Sequence, residues 1–149
     1  MFLPAVLLFL LPAIVSARDT TACAAACQGA IADLQFEGSP PTATYYTLAC
    51  TNALQVQSTF LCMRYYCSDT EIADGLAYIA GLCETYGAVR PLPWSIISNI
   101  TDEQALACPH VEEADLQIPG KYDTPVFLSD VLFKTSLKTE VDSALRYGT

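Results

Sequence analysis

Residues 20–36 read TTACAAACQGAIADLQF, and the fold turns on how this stretch is understood. Alanine dominates it, and alanine is the strongest helix former. Cys23 and Cys27 then stand four apart on one helical face. Their Cβ atoms would be about 5–6 Å apart, beyond the roughly 3.5–4.5 Å that a disulfide tolerates. Each must therefore reach a different element. Gly38-Ser39-Pro40-Pro41 breaks the chain after this helix, and a second helix is expected over residues 45–66, with Cys62 and Cys67 near its end. Two antiparallel helices bring Cys27 towards Cys62 and Cys23 towards Cys67. Ser68-Asp69-Thr70-Glu71 is a capping box that opens a third helix. Its apolar face is Ile72, Leu76, Ile79, Ala80 and Cys83, and Gly87 is the expected stop. Folding it back on the second helix sets Cys83 near Cys50. Among the 15 pairings open to six cysteines, the reading is the nested set Cys23–Cys67, Cys27–Cys62 and Cys50–Cys83. A peptide joining Cys23 to Cys50 would overturn it. The expected fold class is all-α: a small disulfide-stapled bundle of three helices, an irregular acidic tail and a C-terminal helix.

Such a frame needs an oxidising compartment, and the amino terminus supplies the route. Residues 1–17, MFLPAVLLFLLPAIVSA, are uncharged and end in Val15-Ser16-Ala17. The apolar run is short of the roughly 20 residues of a membrane span, so it is a signal peptide cleaved after Ala17. The expected organisation is a signal peptide at 1–17, a cysteine-rich helical extracellular domain at 18–108, and an acidic linker with an amphipathic tail helix at 109–149. No later stretch is apolar enough to span a membrane, and the product is secreted or sits on the outer face of the plasma membrane. The formal net charge is −9 with only seven basic residues, which disfavours nucleic acid as a partner. The thiols do not read as a zinc site, because Cys-x-x-Cys pairs are missing and there is one histidine.

Beyond the frame, Arg90-Pro91-Leu92-Pro93-Trp94 excludes regular helix and reads as a loop anchored on the core by the only tryptophan. Asn99-Ile100-Thr101 is an N-glycosylation sequon, and Thr101-x-x-Gln104 caps a short helix. Cys108 is left over, either free or joined to another chain. In the acidic stretch that follows, His110, Glu112, Glu113 and Asp115 are weak metal candidates, since a lone histidine among carboxylates more often marks a solvated loop. Residues 129–147 form a helix with Leu137, Val141 and Leu145 on one side, and its docking is open. A catalytic triad lacks a base beside its nucleophile. Phosphate-binding glycines, paired haem histidines and a redox Cys-x-x-Cys are also missing. No catalytic residue is expected and no cofactor in this chain.

The cysteines and the words around them resemble the amino-terminal ectodomain of fungal ferric-chelate reductases, the ferric reductase transmembrane component family. The resemblance runs through Cys23-x-x-x-Cys27, Tyr45-Tyr46-Thr47-Leu48-Ala49-Cys50-Thr51-Asn52 and Ser58-Thr59-Phe60-Leu61-Cys62. It continues in Tyr66-Cys67-Ser68-Asp69-Thr70-Glu71-Ile72, Gly75-Leu76-Ala77-Tyr78, Cys83 and Leu92-Pro93-Trp94-Ser95-Ile96-Ile97. It covers roughly residues 1–105, and Cys108 departs from it. Members continue into haem, FAD and NADPH domains, none of which has residues here. The resemblance implies an accessory ectodomain next to membrane reductase machinery or ferric chelates, either detached from a longer reductase or a stand-alone relative. The alternative is a secreted cysteine-rich haem- or iron-binding, or structural, protein.

Overall fold

In a computed structural model, residues 19–117 and 121–147 are described. The proposed signal peptide lies outside them, Asp19 being the first described residue. The architecture is all-α, with helices stapled by three disulfides. Helix α1 is Ala22–Ala32, α2 is Tyr45–Thr51, α3 is Ala53–Tyr66, α4 is Asp69–Leu82, α5 is Asp102–Leu106 and α6 is Asp130–Tyr147.

The first helix is shorter than residues 20–36. It stops at Asp33, and Gln35–Phe36 (β1) pairs in parallel with Lys121–Tyr122 (β3). Phe36 is buried there and its ring packs on Tyr122. The gain from burying a phenylalanine outweighs about one further turn of helix.

The helix expected over 45–66 divides at Asn52, whose backbone is extended (φ −73°, ψ 114°). Asn52 closes α2 and opens α3, its side-chain oxygen accepting the Gln55 N–H at 3.1 Å. Its amide nitrogen donates to the Glu37 carbonyl at 2.9 Å and to Ser39 Oγ at 3.1 Å. One buried side chain thus caps a helix and holds the preceding loop.

The capping box at Ser68 and Glu71 opens α4, and a second one at Thr101 and Gln104 opens α5. The end of α4 differs from a simple glycine stop. The helix widens into a π turn, Cys83–Gly87, and Ala88 adopts the left-handed conformation (φ 51°). Gly87 itself lies inside the π turn, where a Cβ would meet the Tyr46 backbone at an ordinary 3.5 Å and Val89 Cγ2 at a tighter 3.1 Å.

Both members of each bridge sit within a 5.8–5.9 Å Cα–Cα span: Cys23–Cys67, Cys27–Cys62 and Cys50–Cys83. The first two clamp α1 along α3, and the third clamps α2 to the π turn. Five of the six sulfur-bearing residues are at most 2% exposed, so the staples run through the core.

Residues 109–147 share that core. Val111, Val126, Leu128, Leu132 and Phe133 are buried in one cluster with Cys27, Phe60 and Cys62. His110–Val111 (β2) pairs in parallel with Phe127–Leu128 (β4), and α6 packs along α1. The face that docks is Leu132, Phe133 and Leu137, while Val141 and Leu145 stay exposed. The stretch read as an acidic linker therefore closes one side of the domain.

Two polar anchors hold this segment. The Tyr66 hydroxyl meets the Leu128 carbonyl at 2.9 Å and Asp130 Oδ1 at 2.8 Å, while its ring stacks on Phe133. Ser58 Oγ donates to the Leu54 carbonyl at 2.7 Å and accepts the Val126 N–H at 2.9 Å. Ser58→Ala strips the acceptor from an amide on a residue that is 0% exposed. Its expected cost is about 1–3 kcal/mol, the penalty of an unsatisfied buried donor. A urea melt reads it, and Val126 should also lose hydrogen-exchange protection.

Candidate functional site

The residues singled out from the sequence fall into separate places. Asn99 is exposed in the turn between the short 3-10 helix Trp94–Ile97 and α5. Arg64 on α3 holds this turn from beneath. Its Nη1 donates to the Ile100 carbonyl at 2.9 Å and, more weakly, to that of Ile97 at 3.4 Å. Its Nη2 lies 3.3 Å from Asp102 Oδ1, whose side chain is 93% exposed, so the ion pair adds little beyond the carbonyl bonds. Trp94 packs its ring 5.1 Å from that of Phe60, anchoring the proline loop.

His110, Glu112, Glu113 and Asp115 are not gathered around one point. Among the described residues, no group of three histidine, cysteine or acidic side chains could hold a metal ion. The His110 ring lies against Phe127 and its Nε2 is 3.1 Å from the Leu106 carbonyl. Asp115 is turned back to accept the Glu112 N–H at 2.8 Å. Glu113 faces a groove between α1 and α6 instead.

Cys108 has no disulfide partner within this chain. It is half-buried, its thiol donates to the Gln104 carbonyl at 3.4 Å, and burial pushes its pKa up. A thiol so placed carries less thiolate at neutral pH than a free cysteine.

Concavities of small-ligand size are present among the described residues. One, of about 460 Å³, is lined by Leu61, Arg64, Tyr65, Ala105 and Phe127, with Asp102 at its edge. Another, of about 310 Å³, is the α1–α6 groove, with Asp33, Glu113 and Glu140 among its walls.

Sequence reading missed a partly exposed aromatic cluster. Tyr45 and Tyr46 on α2, Tyr78 on α4 and Tyr86 on the π turn form one face. Tyr45 meets Tyr46 edge-on with centroids 4.9 Å apart, and Tyr46 stacks on Tyr86 at 5.0 Å. Tyr45 is 47% exposed, Tyr78 37% and Tyr86 61%. The hydroxyls of Tyr45 and Tyr78 titrate above the usual range. Burial is the main cause, and neighbouring negative charge adds to it: Asp33 and Glu140 on Tyr45, Glu140 and Asp19 on Tyr78. Both therefore remain neutral hydrogen-bond donors through physiological pH.

Among the described residues no helix is long and apolar enough to cross a membrane, and the three disulfides suit an extracellular or secreted setting. Comparisons with protein families, with curated proteins and with solved structures find no match to this chain.

Proposed function

We propose that the chain is an exported, disulfide-stapled ectodomain that assists ferric-chelate reduction at the cell surface and has no catalytic centre of its own. The supporting observation is that the six cysteines on which the resemblance to reductase ectodomains rests are the six that staple the helices. In this reading, haem, flavin and NADPH chemistry belongs to membrane reductase machinery, and this domain presents a rigid surface beside it. Asn99, exposed on its braced turn, carries an N-linked sugar.

In cells that make the chain, its deletion should lower the rate of surface ferric-chelate reduction, and re-expression of the full chain should restore it. An unchanged rate removes the iron role. Titrating the purified protein with haem and with ferric ion separates this reading from a haem- or iron-binding module, because stoichiometric binding would replace the accessory role. Export is checked on the same material. The protein should appear in the medium or on the cell surface with a glycosidase-sensitive mobility that Asn99→Gln abolishes.

A further inference from the structure

The tyrosine face has more holding it in place than its exposure would suggest. The Cys50–Cys83 bridge joins the helix that carries Tyr45 and Tyr46 to the turn that carries Tyr86. The same turn is a π segment, a geometry found disproportionately at functional sites. It ends at Ala88 in the left-handed region, where a residue with a Cβ is strained by about 1 kcal/mol. The π turn packs against α2, so the stacked pair is set by tertiary contact and a covalent link together. These features fix two rings against each other at the surface.

The carboxylates nearest this face are acidic neighbours on separate elements: Asp33 and Glu140 act on the Tyr45 hydroxyl, and Glu140 and Asp19 on that of Tyr78. On α6, Lys138 is engaged with Asp142 at 2.6 Å. Asp33 and Glu140 also wall the groove between α1 and α6, so the carboxylates extend from the rings into a concavity of about 310 Å³. Tyrosine is enriched at protein interfaces. Cations, above all guanidinium groups, stack on its ring face, and neighbouring carboxylates favour partners of the opposite sign.

We propose that the face formed by Tyr45, Tyr46, Tyr78 and Tyr86 docks a basic segment of a partner protein. Its lysine or arginine side chains lie against the rings, and Asp33 and Glu140 supply the countercharge. This goes beyond the accessory role and does not depend on iron.

Fluorescence anisotropy with a labelled hexa-arginine peptide at physiological salt tests it on the purified full chain. Saturable binding is expected. Tyr45→Ser with Tyr86→Ser should weaken it on the order of ten-fold, the combined effect of two cation–π contacts. Tyr45→Phe with Tyr86→Phe keeps the rings and should retain it, which separates loss of the platform from loss of the fold. Asp33→Asn with Glu140→Gln should weaken binding on a similar scale. Glu103→Gln with Asp123→Asn removes the same charge from elsewhere on the surface and should change it by less than about two-fold. Absent saturable binding overturns the proposal. So does equal weakening by the two charge-removing pairs with the tyrosine pair unaffected, or tighter binding of a neutral glucose oligosaccharide than of the peptide.

Discussion

Replacing Cys27 and Cys62 together by alanine is expected to lower stability by about 4 kcal/mol, the chain-entropy value for a loop of this length. The bridge closes 35 residues of sequence, and both cysteines are 0% exposed. The unfolded chain regains the freedom that the bridge had removed, and the native core gains a small void where the sulfurs packed. Total stability for a domain of this size is about 5–15 kcal/mol, so one bridge accounts for much of the margin. The melting temperature should fall by on the order of 15 °C, read by circular dichroism with a parallel urea melt. Cys108→Ser provides the comparison, since its half-buried thiol stands outside every bridge. Its cost should stay below about 1 kcal/mol. Full reduction should abolish the cooperative transition, because the other two loops, of 44 and 33 residues, contribute on the same scale. A double alanine variant that melts within a few degrees of the parent would mean that Cys27 and Cys62 are not joined.

The all-α class is legible in the sequence because its signals are local. An alanine-rich segment, an apolar stripe and two Ser/Thr-x-x-Glu/Gln boxes each act within one or two turns. What escapes such reading depends on partners far along the chain. The division at Asn52 follows from bonds to Glu37 and Ser39, 15 and 13 residues earlier. The early end of α1 follows from Phe36 pairing beside Tyr122. In α6 the apolar positions Leu137, Val141 and Leu145 repeat at helical spacing, yet only the first reaches the core, because docking is governed by Leu132 and Phe133 at the other end.

The candidate surface was less legible than the fold. Tyr45, Tyr78 and Tyr86 come from three elements, so no linear pattern announces them. The one hint is a chain that holds eight tyrosines and sixteen acidic residues against seven basic ones. Conversely, the acidic run from His110 to Asp115 is conspicuous in sequence but spends its polar groups locally. Asp115 caps the Glu112 amide, and His110 rests on Phe127. Proximity along the chain marks a solvated turn there, whereas the tyrosine face depends on a disulfide and a π turn to exist at all.

Gly75→Ala and Gly81→Ala are the same substitution in the same helix, and they are expected to have opposite signs. At Gly81 an added Cβ meets nothing within 4 Å, so only helix propensity acts and alanine should stabilise by up to about 1 kcal/mol. At Gly75 the new Cβ would run into the Cβ of Ala24 on α1 and come 3.1 Å from Met63 Cε. The methionine end can swing aside, but Ala24 has no torsion to turn and is 0% exposed. Helix α1 cannot readily retreat either. Cys23, next to Ala24, is bridged to Cys67 just before α4, and Cys27 one turn on is bridged to α3. A clash this deep falls in the upper part of the overpacking range, about 2–3 kcal/mol, which outweighs the propensity gain and leaves Gly75→Ala destabilised by roughly 1–2 kcal/mol. The propensity contribution is nearly common to both sites, so the difference between the two variants isolates the packing of α4 on α1. Adding Ala24→Gly to Gly75→Ala should recover part of the loss, a coupling that a double-mutant cycle measures directly. If Gly75→Ala stabilises as much as Gly81→Ala, α1 and α4 do not meet at Ala24 and Gly75, and the stapled core is arranged differently.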